Sequence, residues 1–147
     1  MGILLSPIGL IHTPFQTTSE TPIQSSRSTA DGWVEVFPEY AEGLQDIEGF
    51  SHLFLIYHLH RAEAVDLLVE PFLDQRRHGI FSTRHPNRPN HIGISTVRLM
   101  DREGNHLRIS GVDMFDLSPL LDIKPFVPEF DHREALKSGW YEQRSRP

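Results

Sequence analysis

The hydrophobic and polar positions of this chain group into elements that read mainly as strands. Leu5–His12 has the pattern of an N-terminal strand with Gly9 at a bulge. In Trp33–Phe37, Val34 and Val36 fall on one side and Trp33, Glu35 and Phe37 on the other. Tyr40–Ile47 predicts a short helix, broken by Gly49. His52–His60 contains the apolar run Leu53–Tyr57, the pattern of a central strand covered on both faces. Ala62–Phe72 fits two states: its charge spacing permits a helix, and Val65–Val69 permits a strand ending before Pro71. The clearest hairpin joins Ile92–Met100 to Asn105–Val112 through Asp101–Gly104. There Leu107 and Ile109 share one face and His106, Arg108 and Ser110 the other. Nothing between these runs is long and periodic enough for a series of βαβ crossovers. The expected fold is mainly β: a small, largely antiparallel, single-sheeted β-barrel with few short helices.

Three punctuated stretches separate the elements. Pro14–Gly32 is rich in Thr, Ser and Pro and reads as a long loop holding Gln24 and Arg27. Phe81–Asn90 contains Pro86 and Pro89, and Asp116–Pro128 contains Pro119, Pro125 and Pro128, which preclude a continuous helix. No internal repeat or linker is visible, so residues 1–147 are expected to form one domain with an irregular C-terminal tail from about 129.

Composition narrows the classes. A chain of 147 residues, 38% hydrophobic, suffices for one core without a disulfide or structural metal. The absence of cysteine removes thiol catalysis and Cys-ligated metals. No stretch approaches the roughly 18 apolar residues of a membrane span. Leu4–Ile11 is short, holds Pro7 and follows no basic residue, so a signal peptide is not expected and a cytoplasmic location is. The formal net charge of -6 argues against a generic nucleic-acid coat. That average hides a division: residues 31–74 carry ten acids and only Arg61 as a base. Residues 75–98 carry Arg76, Arg77, Arg84, Arg88 and Arg98 with no acid. This is either a solvated face or a local anionic-ligand site, and the predominance of Arg over Lys suits bidentate contacts with phosphates.

Neither a dinucleotide-binding glycine motif nor a phosphate loop is present. Two proline-bearing polar segments stand out instead. Residues 81–95 place Arg84, Arg88, Asn90 and Ser95 around rigid turns, where Asn90 can read an adenine edge, fix a ligand carboxylate or satisfy its own turn. Residues 111–128 set Asp113, Asp116, Asp122 and Lys124 beside apolar neighbours, either as a ligand site or as an Asp–Lys pair anchoring a turn. His58 and His60, at i and i+2, form no firm metal motif, and no metal is expected. Phe50, Phe54, Tyr57 and Trp33 read mostly as core, whereas Phe15 and Phe126 neighbour polar loops.

On Thr83-Arg-His-Pro86, Arg88-Pro-Asn90, Ile92-Gly93 and Asp122-Ile-Lys-Pro-Phe126, with Pro7-Ile-Gly9, Pro14-Phe15, Gln24, Tyr40–Leu44 and Gly49-Phe-Ser-His-Leu53, the chain resembles the TsaA-like (TrmO) family. These are tRNA methyltransferases acting on a threonylcarbamoylated adenosine beside the anticodon, and the resemblance covers about residues 3–132. It implies a small β-barrel, a homodimer and S-adenosyl-L-methionine bound partly across the subunit interface. By motif match it implies a cofactor role for Arg88, Asn90, Gly93, Ser95, Asp122 and Lys124. It also implies a substrate role for Phe15, Gln24 and Arg84, and makes Asp113 and Asp116 the candidate catalytic acceptors of the amino proton.

The motifs also depart from the family pattern. The family's Ser-Pro is His85-Pro86 here, Arg-Pro-Asn-Pro is Arg88-Pro-Asn-His91, and Asp-Gly-Thr-Pro is Asp116-Leu-Ser-Pro119. Leu117, standing where a Gly is common, implies a different turn or altered activity. Longer family members carry an additional C-terminal region. A non-catalytic adenosine-ligand sensor or RNA-binding module is the alternative to the enzyme, with a metal-dependent hydrolase as the third reading.

Overall fold

A strand with one apolar face buries it fully only when its neighbours curve round to cover it, and closing the sheet also removes both exposed edges. The computed structural model describes residues 1–17, 20–23 and 28–144, and in it six strands close in this way. They are β1 (Gly9–His12), β2 (Asp31–Val36), β3 (His52–His58), β6 (Ile92–Glu103), β7 (His106–Ser110) and β8 (Ser118–Pro125). The order around the barrel is β1-β2-β7-β6-β3-β8, every pairing is antiparallel, and β8 returns to β1. A two-stranded ribbon, β4 (Leu68–Val69) with β5 (His78–Gly79), stands apart from it. Each barrel strand sends a branched aliphatic side chain inward: Ile11, Val34, Leu53, Val97, Ile109 and Leu120 are all essentially inaccessible. Burying each contributes about 1.5–3 kcal/mol relative to exposure, which is what holds the closed register.

Several expectations are corrected. β1 begins at Gly9, not Leu5, and pairs Gly9 with Val36 without a bulge. Gly9 is required by proximity, since a Cβ there would lie 2.1 Å from the Glu35 carbonyl oxygen. The helix expected over Tyr40–Ile47 is instead a pair of 3-10 turns, Pro38–Leu44 and Ile47–Gly49, separated by Gln45 and by Asp46, which precedes the second turn at φ 72°. Ala62–Phe72 is neither helix nor strand beyond Leu68–Val69. The hairpin loop is shorter than expected: Gly104 and Asn105 alone turn the chain, with Gly104 at φ 61°. The surplus residue is Met100, where the register of β6 shifts against β7.

The proline-rich stretch 116–128 supplies β8, the strand that completes the barrel. Pro119 and Pro125 sit near its two ends, where a missing N–H costs least. Trp33 lies outside the barrel, stacked on His12 with centroids 3.7 Å apart.

The C-terminal segment is tied to the ribbon. Asp74, fully buried, accepts from His78 Nε2 at 2.8 Å and Arg76 Nε at 3.0 Å. Trp140 stacks on His78 at 4.7 Å and its indole N–H donates to the Ser82 carbonyl at 2.6 Å. The turn leading to Arg84 is thereby held from outside. No helix among the described residues is long and apolar enough to cross a membrane.

Candidate active site

Where β6 pairs with β3, the barrel wall bears a cavity of about 580 Å3 lined by Ser28, His52, Phe54, Arg84, Ile94, Ser95, Thr96, Arg98, Ser110 and Gly111. The volume is within the usual range for a small-molecule site. Alternation creates the lining. His52 and Phe54 on β3 face Arg98 and Thr96 on β6 in register, all turned away from the core, while Ser95 is buried opposite Leu55. The lining holds two arginines and no acid.

A row of polar groups connects Ser95 to the protein interior. Ser95 Oγ donates to Asp113 Oδ1 at 2.5 Å, and the Tyr57 hydroxyl lies 2.9 Å from Ser95 Oγ. Asp113 comes from the segment just after β7, so β3, β6 and this segment meet here. Burial, reinforced by the Asp113 charge, holds the Tyr57 phenol well above its ordinary value and hence protonated, although Ser95 and the Arg84 charge pull the other way. Gly93 pairs with Tyr57, and a Cβ at Gly93 would lie 2.6 Å from the tyrosine ring. Glycine at 93 therefore admits the ring.

The Arg88 loop is organised from within. Arg88 Nη1 donates to the Thr83 carbonyl at 2.7 Å and the His85 carbonyl at 3.3 Å. The Asn87 N–H donates to His85 Nδ1 at 3.1 Å. Burial first, and then the Arg88 charge, hold His85 below its ordinary value, partly offset by Asp66. His91 adopts φ 49° and its Nε2 lies 2.8 Å from the Ala64 carbonyl oxygen. Proline cannot adopt that φ, so the change from the family's Arg-Pro-Asn-Pro is a change of backbone path. Asn90 is exposed at the tip.

The remaining candidates fall into two groups. Asp116 Oδ1 accepts from the Thr13 N–H at 2.9 Å, and the Asp116 N–H donates to the Phe15 carbonyl at 2.8 Å. Phe15 packs against the core from this tie. Leu117 keeps φ 65°, the conformation glycine favours, so the turn expected to differ is glycine-like and carries roughly 1 kcal/mol of strain. Asp122 and Lys124 form a half-exposed ion pair of 3.6 Å on the outside of β8. Asp122 pairs with Ile56, which pairs in turn with Ile94, so one strand separates the acid from the cavity wall. Gln24 lies outside the described residues. The structure thus brings Arg84, Ser95 and Asp113 together, with Gly93 behind them. Arg88, Asn90, Asp116, Asp122 and Lys124 do not line the cavity: Arg88 braces the turn beside Arg84, and Asp122 and Lys124 stand one strand away.

Among the described residues no group of three or more His, Asp or Glu is placed to hold a metal ion. His60 is held below its ordinary value by burial and then by the charges of Arg61 and His58, with Asp116 opposing. Sequence reasoning missed Thr96, Ser28 and Ser110 and gave Tyr57 only a core role, while Arg98 stood in the basic stretch and His52 in a matched motif without a site role. The outward sets on the paired strands, His52 with Phe54 and Thr96 with Arg98, were the available signal.

Residues 10–132 match the family model described as the tRNA-methyltransferase O N-terminal domain. A probable S-adenosyl-L-methionine-binding protein of Pyrococcus abyssi is 58% identical over 142 residues, which cover 96% of this chain and 77% of that protein. The tRNA (adenine(37)-N6)-methyltransferase of Mus musculus is 33% identical over 143 residues, covering 92% of this chain and 33% of that protein. The crystal structure of TrmO from Pseudomonas aeruginosa matches with a TM-score of 0.79 at 35% identity, over 95% of this chain and 62% of that one. A further crystal structure of TrmO gives 0.81 at 37% identity, over 95% and 64%. The chain thus spans under two thirds of these solved proteins and a third of the mouse enzyme. With a matching barrel, a relative 58% identical and a family model covering most of its length, this chain belongs to the tRNA-methyltransferase O (TrmO, TsaA-like) family.

Proposed function

We propose that this chain transfers a methyl group from S-adenosyl-L-methionine to the N6 nitrogen of threonylcarbamoyladenosine beside the anticodon of a tRNA, as a cytoplasmic homodimer. The observation that carries the proposal is a carboxylate, Asp113, bonded to Ser95 at the edge of a cavity that also holds Arg84. The cavity fits the cofactor's chemistry: Phe54 and Ile94 offer apolar surface to a purine, and the Ser28, Thr96 and Ser110 hydroxyls offer hydrogen bonds to its polar parts. S-adenosyl-L-methionine, when bound, supplies an electrophilic methyl group on a positively charged sulfur.

The chain's own residues do the rest. Asp113 accepts the proton leaving N6, whose acidity the threonylcarbamoyl group raises. Asp116, already accepting the Thr13 N–H, sets the loop beside it. Arg84 and Arg98 attract the tRNA backbone or the modified base's carboxylate. Gln24 and Phe15 remain assigned to the substrate by motif match.

Arg88, Asn90, Gly93, Asp122 and Lys124 complete the cofactor surface in this reading, some of them from a second subunit. Exposed Ile92 and Ile94, beside the cavity on β6, support such a partner. In this reading the chain is one domain, with its C-terminal segment held against the ribbon by Trp140.

The test is a methyl-transfer assay on tRNA with and without the threonylcarbamoyl group, with cofactor binding and sedimentation measured on the same preparation. Transfer confined to the modified tRNA is expected, and Asp113→Asn should reduce it at least about a hundredfold if one positioned base is lost. The relatives named as binding proteins favour a second reading, adenosine-ligand binding without transfer. Cofactor binding with no methyl accepted by either tRNA would establish that reading instead.

A further inference from the structure

We propose that Tyr57 and Ser95 form a one-directional hydroxyl row that keeps Asp113 ionised and aimed, which makes Tyr57 a positioning residue. The proposal deepens the reading above, in which Asp113 takes the N6 proton.

Proton counting sets the direction. Ser95 has one hydroxyl proton, and its 2.5 Å bond to Asp113 has the length of a hydroxyl donating to an ionised carboxylate. With that proton committed, Ser95 accepts at its other contact, so the Tyr57 hydroxyl donates across 2.9 Å. Tyr57 is only 6% exposed and its phenol stays protonated, so the donor at the head of the row is permanent.

The ring position is fixed as well. Gly93 leaves the backbone bare beneath it, and the distances of 2.6 Å and 2.7 Å from a hypothetical Cβ to two ring atoms mean that any other residue at 93 must displace the ring. Inside the barrel wall each bond of such a row polarises the next. Hydrogen bonds to the charged form of a carboxyl group favour that form, so the row lowers the pH at which Asp113 takes a proton. The charges that act on Tyr57 in this row include Asp113 and, on the loop before β6, Arg84. Gly93 and Ser95, which motif matching assigns to the cofactor, then act through Tyr57 and Asp113.

The experiment reads Asp113 directly, without cofactor or tRNA. Its carboxyl carbon is followed by 13C NMR against pH, the resonance being assigned by its loss in Asp113→Asn. In Tyr57→Phe, which keeps the ring over Gly93, the midpoint should rise by about half a pH unit or more, and in Ser95→Ala by more still. The acid limb of the methyl-transfer profile should move the same way. Midpoints in both variants within about 0.2 unit of the unaltered chain overturn the proposal. Should Tyr57→Phe fail to fold, Ser95→Ala alone decides. Shifted midpoints together with full activity in Asp113→Asn would leave the row standing and remove Asp113 as the base.

Discussion

The two halves of β6 carry cavities of similar size and opposite character. The first half pairs with β3 and bears the cavity of about 580 Å3, lined by Arg84, Arg98, His52 and the Ser95 hydroxyl. The second half, beyond the register shift at Met100, pairs with β7 and bears one of about 630 Å3. That one is lined by Asp31, Gly32, Trp33, Asp101, Glu103, His106 and Arg108, three acids against one arginine. The arginine is engaged, since Arg108 donates to Asp101 at 2.6 Å and 3.0 Å in an exposed pair. Such pairs are screened by solvent, add little to stability and are made among surface groups alone.

In the first half, by contrast, polar groups run from the cavity into the protein through Ser95 and Tyr57. The difference teaches that volume does not choose a site on this barrel. On the proposed reading the chemistry lies where charge of the right sign meets a buried, directional hydrogen-bond network, and a polyanion is drawn to one half and repelled by the other.

The sharpest way to break this contrast is to add one methyl group to each half. Gly93→Ala forces a Cβ into the Tyr57 ring. It should cost about 1–3 kcal/mol in stability as an overpacked site, visible in thermal melts. Displacing the ring disturbs Asp113, so methyl transfer by the folded protein should fall by at least about tenfold. Gly104→Ala meets nothing within 4 Å and suffers only from its φ of 61°. It should cost about 1 kcal/mol and leave transfer by the folded protein unchanged. Equal losses of activity in the two variants would dissolve the distinction between the halves.

A smaller effect is expected from charge. Removing Arg84 or Arg98 as Gln should weaken tRNA binding and lower the slope of log affinity against log salt by about one for each phosphate no longer neutralised. Asp101→Asn and Glu103→Gln, in the other half, should leave that slope where it is. Filter binding at several salt concentrations checks both, and a slope sensitive to Asp101 rather than Arg98 would move the tRNA to the wrong half.

Why the second half is plain in the sequence and the first is not follows from the physics of each. Alternation along residues 105–112 sorts Leu107 and Ile109 from His106 and Arg108 unaided, because one face is buried and the other is wet. Leu53–Tyr57 is continuously apolar, so nothing in its pattern says that Tyr57 turns inward with Leu53 and Leu55 while Phe54 borders a cavity. The barrel is legible from the five strands the pattern predicts. β8 is not, because Pro119 and Pro125 mimic a loop, and only closure against β1 and β3 gives that segment its partners. Ser95 and Asp113 were each singled out by motif. Their bond joins residues 18 positions apart on different elements, which spacing alone cannot reveal.

The smallest effect is a pH dependence of stability just below neutrality, and its sign follows from His85. Its Nδ1 accepts the Asn87 N–H, so the ring is neutral there, and burial with the nearby Arg88 holds its pKa below the ordinary 6.5. A histidine depressed in the folded state binds its proton more readily when unfolded. Stability is therefore complete above pH 6.5 and declines as pH falls through that value toward the folded-state pKa. His60, depressed mainly by its own burial, pulls the same way. Protonating His85 also removes the acceptor for Asn87 and sets a second positive charge beside Arg88, so the Arg84–Arg88 loop is the part that loosens. Comparing denaturation midpoints on either side of pH 6.5 should show the chain less stable on the acid side. In His85→Gln the difference should shrink to what His60 contributes. A variant that keeps the full acid loss would place the titration elsewhere and leave the loop's closure independent of His85.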